Sequence, residues 1–206
     1  NFQHFTIIQN NAFDPDTQVN LGKTSQGHEI WISRALMNCD VKILTGFIEP
    51  HFFAGYSGGG KAIMPGMSGL ETILGNHCAA NIAHPKATFG ATRGNPVWEE
   101  IQEVAFAAKA TFLLNVTLNR GQEITGIFAG DLESAHAAGV EFVRRSAMVA
   151  VDGLYDIVVT GNSGHPLDLN LYQAVKGISA ASQIVRPGGM ICMAASCWDG
   201  IPDHGH

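Results

Sequence analysis

Asp156-Ile-Val-Val-Thr-Gly161, the helically spaced residues 169–185, and Met190-Ile-Cys-Met-Ala-Ala195 decide the fold of this 206-residue chain. The first and last runs are apolar and read as strands, and the segment between them has helical periodicity. Two strands joined through a helix lie parallel, with a right-handed crossover. Arg186-Pro-Gly-Gly189 reads as the turn that delivers the second strand. This βαβ unit predicts an α/β protein, and the segments upstream extend the same scheme.

Residues 5–8 read as a short strand, followed by a polar loop, and residues 29–37 have helical spacing. Residues 41–47 read as a buried strand ended by Glu49-Pro50. Ser68-Gly-Leu-Glu71 has the form of a capping box opening a helix to about residue 80, which His84-Pro85 stops. Asn95-Pro96 supplies an N-cap and a first-turn proline, and Val97, Ile101, Val104 and Ala108 form one helical stripe. Residues 111–118 and 123–128 predict a hairpin turning at 119–122, and Asp131 caps a helix to about residue 147. Residues 151–154 read as a hinge. The expected architecture is therefore two α/β parts, each with a mainly parallel sheet flanked by helices and with a cleft between them. The first is residues 1–150, the later portion of a cofactor-bearing domain; the second, 151–206, is the start of another.

An apolar content of 46% supports a sizeable core, and a net charge of −6 without any basic run argues against nucleic-acid binding. No apolar run approaches the roughly 18 residues of a membrane span. With no signal-peptide pattern, the expected location is cytoplasmic. The chain starts at Asn1 without Met and ends in an apparent loop at Ile201-Pro-Asp-His-Gly-His206, so a fragment or processed product is expected. Cys39, Cys78, Cys192 and Cys197 form no CxxC pair and are expected to be free, buried thiols.

The densest chemistry lies in Glu49-Pro-His-Phe-Phe-Ala-Gly-Tyr-Ser-Gly-Gly-Gly-Lys61. Gly55 to Lys61 fits a phosphate-binding loop except that Ala62 replaces the Mg²⁺-binding hydroxyl and Pro65 interrupts the helix that should follow. Three readings remain open: a P-loop-like hydrolase, a loop cradling phosphate without metal, and a tight turn. His51, just past a strand end, is either a base or a packed ring. His77 is either a metal ligand or a helix-end histidine favouring the dipole; His84 is a weaker candidate. His4, His28, His136, His204 and His206 are assigned to the surface. Thr160-Gly-Asn-Ser-Gly164, leading to Asp168, is a second candidate ligand loop. Tyr172 and Lys176 share a helix face, beside Gln173, fit either for a carboxylate or for solvent.

His51-Phe-Phe-Ala-Gly-Tyr-Ser-Gly-Gly-Gly-Lys61, Pro65-Gly66, Asn76-His77, Asn95-Pro96, Gly130-Asp131 and Leu171-Tyr-Gln-Ala-Val-Lys-Gly177, in this order, resemble the nickel-dependent lactate racemase family. The resemblance implies racemisation or epimerisation of a 2-hydroxy acid by hydride shuttling to a nickel-pincer nucleotide, a pyridinium-3,5-dithiocarboxylate mononucleotide. It makes Lys61 the covalent tether, with Tyr56, Ser57, Gly58 and Gly59 beside the cofactor. It makes His77 the nickel ligand, a sensible partner for soft sulfur donors. His51 becomes one of two acid/base histidines, and Tyr172, Gln173 and Lys176 bind substrate. Cofactor-biosynthesis proteins are the implied partners. The family's second catalytic histidine and a substrate arginine lie upstream of residue 1, so the chain by itself is expected to be inactive. A non-catalytic nucleotide- or phosphate-binding fragment is the alternative.

Overall fold

The computed structural model describes residues 5–200, and the chain divides into two units after Met148. In the first unit, β1 (Gln18–Lys23) and β2 (Glu29–Ser33) form an antiparallel hairpin. One helical turn, α1 (Arg34–Met37), leads to β3 (Ile43–Phe47). The two-residue strands β4 (Pro50–His51) and β5 (Gly55–Tyr56) pair with each other, and a 3-10 turn follows at Gly59–Ala62. Helices α2 (Leu70–Asn76), α3 (Ala79–Ile82) and α4 (Pro96–Ala107) precede the hairpin β6 (Phe112–Leu118) and β7 (Ile124–Gly130), and α5 (Leu132–Ala147) closes the unit.

β6 is the central strand of a mixed sheet, parallel to β3 and antiparallel to β7. Leu44 and Leu113 point to one face, where the α4 stripe of Val97, Ile101, Val104 and Ala108 is fully buried. Each of the leucine, valine and isoleucine side chains contributes about 1.5–3 kcal/mol by leaving water. Asn95 accepts from Val97 N and Trp98 N, and Asp131 accepts from Ser134 N, so both helix starts are capped as their sequences predict.

Several elements differ from expectation. Residues 5–8 carry no strand and are exposed. Residues 29–37 begin as a strand because Ile30 and Ile32 alternate into the core, a period-2 pattern that outweighs the helical spacing. Ser68 is no N-cap; its hydroxyl donates to Ile63 O, Gly69 caps α2, and the helix breaks at His77. Residues 41–47 are not buried on both sides: Val41, Ile43 and Phe47 are exposed. The four cysteines are free, and none is buried.

In the second unit, β8 (Tyr155–Thr160), α6 (Leu171–Ser182) and β9 (Val185–Met193) form the expected parallel βαβ. Arg186-Pro-Gly-Gly189 is a bulge within β9 rather than a turn before it, with Arg186 paired to Asp156. Ala174, Gly177 and Ala181 of α6 are buried. Gly177 lets the helix sit on β8, since a Cβ there would lie 2.3 Å from Gly161 O. The surface assignments of His4, His204 and His206, and the closing loop 201–206, fall outside the described residues.

Candidate active site

The glycine loop is held against its own protein. Gly55, Gly58 and Gly59 have positive φ, which side chains resist. A Cβ on Gly58 would meet Asn115 Oδ1 at 2.5 Å; one on Gly59 would meet the His136 ring at 2.8 Å; one on Gly60 would meet Ala105 and Ile101 at 3.1 Å. The glycines therefore seat the loop on β6, α5 and α4. Gly59 N donates to Asn115 Oδ1 at 2.7 Å, Ser57 N to Glu49 O, and Lys61 N to Gly58 O. These three amides are bonded within the protein rather than turned to a phosphate, and the next helix, α2, begins only at Leu70. A triphosphate loop needs a helix opening at the lysine.

The side chains beside the glycines make contacts within the protein. Tyr56 is fully buried, with its hydroxyl donating to Met148 Sδ at 3.2 Å. Ser57 Oγ donates to Phe47 O and accepts from Glu49 N, both at 2.9 Å. Tyr56 and Ser57 thus anchor the loop through their side chains, and Gly58 and Gly59 through close backbone packing. His136 is not a surface residue: it is 3% exposed and its Nε2 donates to Ser57 O at 2.9 Å. Burial holds its imidazole below the usual range.

Lys61 emerges from the end of the 3-10 turn, half-buried. His77 is the C-cap of α2, also half-buried, and its Nδ1 donates to Ile73 O at 3.2 Å. That bond leaves the Nε2 lone pair for a ligand, the arrangement typical of metal-binding imidazoles. Burial, and next the positive charge of Lys61, hold His77 below its usual pKa and so favour the neutral ring. The structure therefore brings Lys61 and His77 within electrostatic reach of each other. Among the described residues no three His, Cys, Asp or Glu side chains cluster as a protein-only metal site.

His51, on β4, accepts two backbone amides at Nδ1: Phe53 N at 3.2 Å and Ala54 N at 3.1 Å. The neutral ring then carries its proton on Nε2. His84 is exposed and accepts Lys86 N at Nδ1.

In the second unit, Asn170 caps α6 by accepting Gln173 N. Gln173 Oε1 accepts Lys176 Nζ at 2.6 Å, fixing that ammonium, while Tyr172 is 61% exposed. In the Thr160–Gly164 loop, Asn162 donates to Leu167 O. Asp168 is buried and accepts Ser196 N at 2.9 Å, tying this loop to the segment after β9.

Sequence reading missed a buried carboxylate. Glu100 of α4 accepts from Thr24 Oγ1, His28 Nδ1, Asn76 Nδ2 and Asn81 Nδ2 at 2.6, 2.7, 2.9 and 3.4 Å. His28, assigned to the surface, is half-buried in this cluster. The available signal was a charge at 100, three residues after Val97 on the apolar stripe.

The fold is α/β, with a lysine and an imidazole within electrostatic reach of each other. A lactate racemase N-terminal domain model matches residues 2–90, and a lactate racemase C-terminal domain model matches 151–205. Lactate racemase of Thermoanaerobacterium thermosaccharolyticum is 42% identical over 87% of this chain and 42% of its own length. That of Lactiplantibacillus plantarum is 40% identical over 94% of this chain and 46% of its own. The structure of the lactate racemase apoprotein from T. thermosaccharolyticum superposes with a TM-score of 0.92 at 38% identity, covering 97% of this chain and 48% of that one. A Thermotoga maritima protein, 22% identical, shares the fold at a TM-score of 0.59 over 73% of this chain and 41% of its own. The chain belongs to the lactate racemase family and spans just under half the length of these relatives.

Proposed function

We propose that the parent protein racemises or epimerises a lactate-like 2-hydroxy acid with a nickel-pincer nucleotide. What supports this reading is His77, whose Nδ1 is committed to Ile73 O and whose ring feels the positive charge of Lys61. Lys61 would be the covalent tether, and His77 would ligate nickel through Nε2. When bound, this cofactor supplies a hydride acceptor for the α-hydrogen. A single protein ligand fits a metal that arrives with its own donors.

The chain's own residues would do the rest. Lys176, steadied by Gln173, is the group for the substrate carboxylate, with Tyr172 beside it on α6. His51 would exchange the 2-hydroxyl proton at Nε2. In the pose observed, Nδ1 is occupied by two amides, so His51 meets an oxygen as a donor. Taking a proton at Nε2 requires the other tautomer, and hence release of Phe53 N and Ala54 N. Proton transfer at His51 is therefore coupled to opening of that turn.

The P-loop reading receives no support from a loop in which the Ser57, Gly59 and Lys61 amides are already bonded within the protein. The deciding experiment is intact mass of the full-length protein co-expressed with the cofactor-building proteins. An adduct on Lys61, absent from Lys61→Ala, is expected together with one nickel. Failure to find either in properly folded protein removes the cofactor reading; where both are found, a chiral assay on a panel of 2-hydroxy acids names the substrate.

A further inference from the structure

We propose that Glu100 is a positioning residue for His77, holding the helix break that presents the imidazole. Its significance as part of a metal site rests on the function proposed above; the geometry stands on its own. Glu100 Oε1 takes Thr24 Oγ1 and His28 Nδ1, and Oε2 takes Asn76 Nδ2 and Asn81 Nδ2. The four acceptor sites of an ionised carboxylate are thus filled, and the side chain is 1% exposed. Asn76 immediately precedes His77 and also donates to Val97 O at 3.1 Å. Asn81, on α3, donates to Asn76 O at 3.1 Å. Gly75, one residue earlier, leaves space for the His28 ring, which a Cβ would meet at 2.8 Å. The residues on both sides of His77 therefore converge on one carboxylate.

Stability alone is a weak reason for this charge. A buried ion pair is often no better than an apolar replacement of similar size. A carboxylate is also misplaced electrostatically near the C-terminal end of α2, where the helix dipole favours cations. What the cluster supplies is geometry: it stops α2 at Asn76, starts α3 at Ala79, and leaves His77 at the break with Nδ1 on Ile73 O. Ligand-orienting partners of this kind usually change metal affinity about 10–100-fold when removed.

The test begins on the apoprotein. Long-range ¹H–¹⁵N spectra of the histidine rings, assigned through His77→Gln, report the His77 tautomer. The parent is expected to show Nδ1–H alone. Glu100→Gln leaves one acceptor oxygen and no charge for four donors, and is expected to mix the two tautomers. Val104→Ala, a buried change on the same helix, is expected to lower the unfolding temperature and leave the His77 ring unchanged. In the cofactor-loaded protein, Glu100→Gln is expected to lose nickel about 10–100-fold more readily, with the Lys61 adduct retained. An unaltered His77 ring in Glu100→Gln, or an equal change in Val104→Ala, overturns the proposal. If Glu100→Gln does not fold, Asn81→Ala must show the same tautomer mixing, and an unchanged ring there is equally fatal. Absence of the adduct in the parent would count against the racemase reading only, since the apoprotein spectra do not depend on it.

Discussion

At the scale of single residues, the neutral histidines set a pH dependence. His77 is held below its usual range by burial and then by Lys61, and His136 by burial. As pH falls through about 6.5, the unfolded chain takes up protons first. Stability is therefore full above that pH and declines on acidification until the folded rings titrate. Thermal unfolding of the chain is expected to show a falling midpoint from about pH 7 to 5. His136→Gln should make the slope shallower, and an unchanged slope would remove His136 from this account. Gly59→Ala tests the loop seat: strain at positive φ adds to the clash with His136, for an expected loss of about 2–5 kcal/mol by denaturant titration. A loss under about 1 kcal/mol would mean that the loop moves aside freely.

At the scale of elements, α4 joins the core to the site. Asn95 is fully buried; beyond capping α4, its Nδ2 donates to Phe53 O at 2.8 Å and Ala91 O at 2.9 Å. It thus binds the helix start to the turn that holds His51. Asn95→Asp keeps the cap acceptor and loses both donors, leaving carbonyls unpaired beside a new charge. It is expected to cost about 2–4 kcal/mol and to weaken protection of the Phe53 and Ala54 amides in hydrogen exchange. Equal protection in mutant and parent would break the link between α4 and that turn. The sequence displayed Asn95-Pro96 as a cap, but the bond to Phe53 O crosses about forty residues and has no local signature.

At the scale of the whole molecule, both units carry a sheet with one covered face. In the first, Ile43, Phe47, Leu114 and Ile127 share the outward face through the pairing of β3, β6 and β7, and all are exposed. In the second, Ile157, Val159 and Met190 do the same on β8 and β9. Apolar faces of this kind drive association. The 206-residue chain is expected to self-associate in light scattering, and Ile127→Lys with Val159→Lys to reduce this without lowering the unfolding temperature. A monodisperse parent monomer would contradict the expectation. Among the described residues no helix is long and apolar enough to cross a membrane.

The sequence by itself determined the α/β class, the βαβ unit, the β6–β7 hairpin, both well-capped helices and the family, because each is written in local periodicity, caps or contiguous motifs. It misplaced the strand at 29–33, where two short-range patterns competed and the core chose the alternating one. Only the tertiary structure decided what the glycine run packs against. Its φ angles and close contacts fit Asn115, His136 and α4, partners that lie some forty to eighty residues away. The same holds for Glu100, which reads as a lone charge on an apolar stripe. It becomes a four-fold acceptor beneath the His77 break only when Thr24, His28, Asn76 and Asn81 are folded around it.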